Sequence, residues 1–267
     1  MSREADHLRL AVLRMGRAAG SGHMGGSLSC AEILNVLYSR ILRIDPGRPD
    51  APERDRFVLS KGHAAPMLYA CLSRAGFFEE DLLWTLRDLD SPLQGHPCMF
   101  KLPGVDMSTG SLGLGLSVGV GMALALRDTP ARVYVLLGDG ELQEGQNFEA
   151  FMSMRAFDLT NLTPIVDLNG VQLDGPTAQI QPAQAPTMQK LVGFGLRVFK
   201  ADGHDESQIE RALCEAKACG QPHAVVASTV KGKGVSFMEG QAAWHGRPMT
   251  AEDYEAARSE VEGRLMR

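Results

Sequence analysis

Apolar and polar positions alternate along this chain with two different periods. Over residues 4–19 the apolar residues Leu8, Val12 and Met15 fall on one stripe, which predicts an amphipathic helix. A glycine-rich turn is expected over residues 20–27. A second helix follows over 31–42, stopped at Asp45-Pro46. Residues 56–60 (Arg56-Phe57-Val58-Leu59-Ser60) read as a short buried strand that runs into Lys61-Gly62-His63. Helices are predicted over 64–74 and 79–89, with the loop Gln94-Gly95-His96-Pro97 beyond them. After that the alternation becomes regular: helix 112–126, strand 132–137, helix 145–157, strand 164–168, helix 188–193, strand 196–200, helix 205–219, strand 224–228. A charged helix is expected over 251–266. Short, continuously apolar strands separated by helices imply βαβ units, so the expected fold is α/β, a mostly parallel central sheet with helices on both faces. Internal repeats and Pro/Ser-rich linkers are lacking, so one domain over 1–267 is expected.

Bulk properties narrow the function classes. A net charge of -5 argues against a nucleic-acid partner, which needs a basic face. The five cysteines are scattered, without a CxxC pair, and read as reduced thiols of a cytoplasmic protein. Arg3, Glu4, Asp6, Arg9 and Arg14 interrupt any signal-peptide core. Residues 107–126 carry no charge and are long enough to span a bilayer, but their five glycines suit a buried helix of a soluble fold better.

Two strand ends carry the strongest chemical signal. The apolar run Val133-Tyr134-Val135-Leu136-Leu137 closes on Gly138-Asp139-Gly140-Glu141, and the next strand closes on Asn169-Gly170-Val171. If the strands are parallel neighbours, both ends lie on the same sheet edge. Asp139, Asn169 and a backbone carbonyl near Val171 are hard oxygen donors. They suit Mg²⁺ (or Ca²⁺), whose shell is commonly completed by phosphate oxygens. A diphosphate cofactor at the carboxyl end of the sheet is therefore expected. Gly113-Leu114-Gly115 follows no strand, which rules out a nicotinamide loop; Gly113, Ser117 and Gly121 fall on one helix face and suit close packing. Backbone N–H groups of Gly110 and Ser111 could add to the cofactor site. Glu144 opens the helix after the acidic turn. Lys231 and Lys233 are candidates for phosphate contact or for a solvated loop.

Four of the seven histidines, His23, His63, His96 and His245, sit among glycines or prolines in expected loops. Imidazoles there can bind hydroxyls or phosphate and shuttle protons near neutral pH. His204 is ambiguous, and His7 and His223 read as structural.

Taken in order from about Ser21 to His245, these segments resemble the N-terminal, diphosphate-binding domain of transketolase. The resemblance implies thiamine diphosphate, a divalent metal, and transfer of a two-carbon ketol unit between sugars, with or without phosphate groups. It implies that Asp139, Asn169 and the Val171 carbonyl hold the metal. His63, Gly140, Gly110 and Leu112 would border the cofactor. His23 and His245 would serve the thiazolium and substrate hydroxyls, and His96 the donor's first hydroxyl. Glu144 would link paired active sites. Phe148 stands where many relatives have Trp. Full transketolases continue into a pyrimidine-binding domain, which holds the cofactor-activating glutamate. This sequence stops at Arg267, so the resemblance implies the small subunit of a split transketolase, completed by a second chain in a heterotetramer. Another thiamine-dependent enzyme acting on a 2-oxo acid, or a non-catalytic cofactor-binding chain, are the alternatives.

Overall fold

The computed structural model describes residues 2–182 and 186–266. The chain begins with helix α1 (Arg3–Ala19), whose first turn is capped by the Ser2 hydroxyl accepting from the Ala5 N–H at 3.1 Å. Gly20 ends it in the left-handed conformation that glycine adopts without steric cost (φ 60°). Two short helices follow, α2 (Met24–Ser29) and α3 (Ala31–Val36), the latter widening into a π turn over Leu37–Ile41. Strand β1 (Arg56–Leu59) leads through a 3₁₀ turn (Gly62–Ala64) into α4 (Ala65–Arg74). Next come α5 (Leu114–Ala125), β2 (Val133–Gly138), α6 (Gly145–Ala156) and β3 (Leu162–Leu168). A small hairpin, β4 (Val171–Gln172) and β5 (Gly175–Pro176), precedes α7 (Thr177–Ile180) and α8 (Thr187–Gly193). The chain then forms β6 (Arg197–Asp202), α9 (Glu206–Ala218), β7 (His223–Ser228) and α10 (Ala251–Leu265).

β1, β2, β3, β7 and β6 form one sheet in that spatial order, and every pairing in it is parallel. Because side chains alternate across a strand, each strand feeds two cores. Tyr134, Leu136, Ile165, Val225 and Ala227 pack with α1, α3, α4, α9 and α10 on one face. Val133, Val135, Leu137, Val166 and Val226 pack with α5, α6 and α8 on the other. The expected fold class is what the structure shows. β2 and β3 are direct neighbours, with Gly138 opposite Asp167, so the acidic turn and the Asn169 turn emerge side by side. After β3 the chain crosses to the far edge as β6 and returns as β7 beside β3, which leaves room between diverging connections at the carboxyl end.

Three local expectations change. The glycine-rich turn is already helical from Met24. Gly25 and Gly26 serve close packing there: a Cβ on Gly25 would lie 2.9 Å from the Trp244 carbonyl, and one on Gly26 3.1 Å from His63 Nε2. The helix expected over 79–89 is a 3₁₀ segment (Glu80–Thr85), because Arg87 turns to φ 68° and its N–H closes a loop onto the Leu93 carbonyl at 2.8 Å. The uncharged stretch 107–126 is helical only over α5, one face of which packs against β2 while Leu114 and Val118 on the other are exposed. Among the described residues no helix is long and apolar enough to cross a membrane.

Candidate active site

A cavity of about 230 Å³ opens at the carboxyl end of the sheet. It is lined by Asp139, Gly140, Glu144, Asn169 and Val171, with Leu112, His63, His245 and Lys231 around them. The β2–β3 register accounts for the acidic part. Asp139 follows β2 and accepts from the Gly170 N–H at 2.9 Å, while the Asn169 amide oxygen accepts from the Val171 N–H at 3.0 Å. The two turns are thus tied together, with their oxygens on one rim. Burial, and then the negative charge of Asp167, push the Asp139 carboxyl above its ordinary range. A cation beside Asp139 would relieve both effects. Among the described residues no group of three or more His, Cys, Asp and Glu side chains could hold a metal. A cation here would rest on one carboxylate, one amide and one carbonyl, and take its remaining oxygens from a ligand, which fits Mg²⁺ bound together with a diphosphate.

Lys231 belongs to this rim. Its buried ammonium donates to the Val171 carbonyl at 3.0 Å and to His245 Nδ1 at 2.7 Å. Burial, then Lys61, lower it to about 8. Because Nδ1 of His245 accepts this bond, the neutral ring carries its proton on Nε2. The Val171 carbonyl has a second lone pair, so the lysine does not exclude a cation there. Lys233, by contrast, pairs with Glu239 at 3.2 Å away from the cavity.

The four loop histidines converge. His63 and His245 stack at 4.9 Å between ring centroids, and His23 lies edge-on to each at 5.5 Å. His96 stands 6.4 Å from His23 at the open rim, against Gly110, where a Cβ would meet its ring at 3.2 Å. His23, His96 and Gly110 therefore extend the site outward from the cavity. Desolvation is the largest cause lowering each imidazole, and neighbouring positive charges add to it: His23 falls to about 4, His245 to about 3, and His63 and His96 also fall. All four are neutral at pH 7 and able to accept a proton. His23 Nδ1 is buried and has no hydrogen-bond partner.

Glu144 holds the N-cap position of α6 without a side-chain capping bond; it is exposed and packed against Gly113, where a Cβ would lie 2.7 Å from its own. Phe148 stacks on Phe194 at 5.6 Å, filling the α6–α8 contact without a tryptophan. His204 proves structural. Its Nδ1 pairs with Glu32 at 3.0 Å and its Nε2 accepts from the Val230 N–H at 2.8 Å, steadying the residue before Lys231. His223 is buried at the other end of the sheet, as expected of a structural histidine, and His7 is exposed on α1.

Sequence reasoning passed over the groups beneath the cavity. Asp167, fully buried, accepts from Lys61, from Thr229 and, at 2.6 Å, from Ser29. Burial alone would raise its carboxyl; Lys61 and these hydroxyls hold it below the usual range. Glu141 accepts from the N–H groups of Gly113 at 2.9 Å and Gly138 at 3.1 Å, and from Ser60, joining β1, β2 and α5. A charged residue inside the apolar run Ile165-Val166-Asp167-Leu168 was the available signal for the first.

An oxygen-donor rim at the carboxyl end of a parallel sheet, facing a cluster of neutral imidazoles, is matched by a family model. The model, described as the transketolase thiamine diphosphate-binding domain, matches residues 1–263. This chain belongs to that family. It is 43% identical to the 6-deoxy-6-sulfo-D-fructose transketolase subunit SqwG of Clostridium sp. (strain MSTE9), covering 98% of this chain and 96% of that one. It is 42% identical to an apulose-4-phosphate transketolase subunit from Actinobacillus succinogenes, over 97% of this chain and 94% of that one. The transketolase structure from Leishmania mexicana superposes with a TM-score of 0.91 at 31% identity, covering 100% of this chain but 42% of that longer one. The chain therefore spans nearly all of two transketolase subunits and about two fifths of a full-length transketolase.

Proposed function

We propose that this chain is the diphosphate-binding half of a two-chain, thiamine diphosphate- and Mg²⁺-dependent transketolase that moves a two-carbon ketol unit from a ketose to an aldose. The observation that carries this reading is the meeting, in one site, of three hard oxygen donors and four neutral imidazoles. Asp139, Asn169 and the Val171 carbonyl hold the metal. Lys231, His63, Gly140, Gly110 and Leu112 border the cofactor. When bound, thiamine diphosphate supplies a carbon centre that makes and breaks carbon–carbon bonds beside a carbonyl.

The chain's own contribution is orientation and proton handling. A sugar hydroxyl that loses its proton during carbon–carbon cleavage needs a base that is unprotonated at pH 7. His23, His96 and His245 meet that condition, because burial keeps them neutral. His245 is further oriented by Lys231. In this reading His96, at the open rim, binds the donor's first hydroxyl. The partner chain supplies the pyrimidine-binding half, two copies of each chain assemble, and Glu144 lies toward the paired sites. The relatives named as subunits support the two-chain reading, and their sulfonated and phosphorylated sugars support an anionic sugar substrate. The five unpaired thiols fit a cytoplasmic setting.

The test is ketol transfer assayed with this chain alone and with a pyrimidine-domain partner chain. Turnover is expected from the pair only. Full turnover by the lone chain overturns the two-chain reading; a pair that processes 2-oxo acids and no ketose overturns ketol transfer.

A further inference from the structure

One cation stands beside the histidine cluster without belonging to the cavity. Arg87 is one of two non-glycine residues with positive φ among those described, at 68°, a conformation that is unfavourable for an L side chain and persists only where its surroundings hold it. Two contacts hold it. Its N–H donates to the Leu93 carbonyl at 2.8 Å, closing the loop between them. Its Nη1 donates to the Ser21 hydroxyl at 3.1 Å, two residues before His23. The guanidinium also lies flat against Gly95, the residue before His96. A Cβ on Gly95 would sit 2.9 Å from Nη2 and 3.1 Å from both Cζ and Nε, so only glycine lets the plane approach this closely. Two loops distant in sequence, each delivering one histidine, thus meet on one guanidinium.

We propose that Arg87 is a positioning residue for ketol transfer: it pins the Ser21–His23 loop to the Gly95–His96 loop and fixes a positive charge beside both imidazoles. This rests on the transketolase reading for its substrate but on the geometry alone for the coupling of the loops. The charge repels a proton from either ring, so both remain bases over a wider acidic range. The other groups facing His23 are His96, His63, His245 and Lys231; those facing His96 are Arg87 and His23. Arg87 is the charged group common to the two. A lysine at this position would keep the charge but lose the planar contact with Gly95 and the reach to Ser21.

The experiment is a histidine titration by NMR on the full chain and on Arg87→Met and Arg87→Lys, with Tm measured for each. For Arg87→Met, the midpoints of His23 and His96 are expected to rise together by at least about half a pH unit, while that of His223 stays put. Arg87→Lys should keep the midpoints near the original. In the assembled enzyme the acidic limb of kcat/KM should move with the Arg87→Met midpoints, and Arg87→Lys should lose kcat/KM without that movement. A folded Arg87→Met whose His23 and His96 midpoints do not move overturns the proposal. Should Arg87→Met fail to fold, a wild-type kcat/KM in Arg87→Lys overturns it. The titration needs neither cofactor nor turnover, so failure of the transketolase reading would appear separately, as absence of ketol transfer by the wild-type pair.

Discussion

The two ends of the sheet use the same residue types for opposite purposes. At the amino end, carboxylates are consumed by the fold. Asp55 accepts from the backbone N–H groups of Arg43 at 2.9 Å and Arg132 at 2.8 Å. Asp106 accepts from the Phe57 N–H at 2.8 Å and pairs with Arg54. His223 joins them: Nδ1 donates to the Gln221 carbonyl at 2.9 Å, and Nε2 accepts from Thr163 at 2.8 Å. At the carboxyl end, Asp139 is buried with its carboxyl pushed up, and His23 keeps a buried ring nitrogen without a partner. A buried polar group left uncompensated costs stability. At the amino end the buried carboxylates and His223 are fully partnered, though Arg132 Nε is buried without one; at the carboxyl end it is a group lining the site, His23 Nδ1, that waits for a partner.

The largest test of that contrast replaces Asp139. Asp139→Asn removes the charge while keeping the shape. It is expected to weaken Mg²⁺-dependent thiamine diphosphate binding by about 100-fold or more, read by calorimetry, with Tm unchanged or raised because a strained buried carboxylate is gone. Unchanged binding would show that the metal is held elsewhere. Asp167→Asn tests the layer beneath. It leaves Lys61 buried without its counter-charge and should cost about 3 to 5 kcal/mol in urea denaturation. A neutral outcome would mean that Ser29 and the Gly26 carbonyl suffice for the lysine.

The smallest effect belongs to His223. Burial lowers it to about 4 from an ordinary 6.5. Between those values the unfolded chain binds the proton and the folded chain does not. The stability contributed by the neutral ring is full above pH 6.5 and is lost as pH falls toward 4. Between pH 7 and pH 5 the loss should be about 2 kcal/mol, and His223→Gln should flatten that part of the curve. The four site histidines are lowered too, so the residual slope in His223→Gln measures how far the functional end depends on acid in the same way.

Much of the fold was legible because βαβ patterning is a local property. Apolar runs such as Val133 to Leu137 and Ile165 to Leu168 can be buried on both faces only within a helix-covered sheet. Helix ends were less legible. The segment 79–89 has helical composition, yet the turn at Arg87 and its bond to Leu93 decide otherwise. The β4–β5 hairpin was missed because two-residue strands leave no period to read. Within the site, residues punctuated by glycine stood out: Asp139, Asn169, His63, His96. Lys61, Glu141 and Arg87 did not, since their roles arise from partners distant in sequence, Asp167, Gly113 and Ser21 among them.

What the sequence determined by itself was the supply: which strands form, which turns end in oxygen donors, and which loops carry imidazoles. Those follow from side-chain period and backbone preference, which act over a few residues. Only the tertiary structure decided the electrostatics. Neutral histidines, a raised Asp139 and a lysine lowered toward neutrality all depend on water being excluded by several elements at once. Burial, and the company of charges brought together from across the chain, are not properties of any one segment.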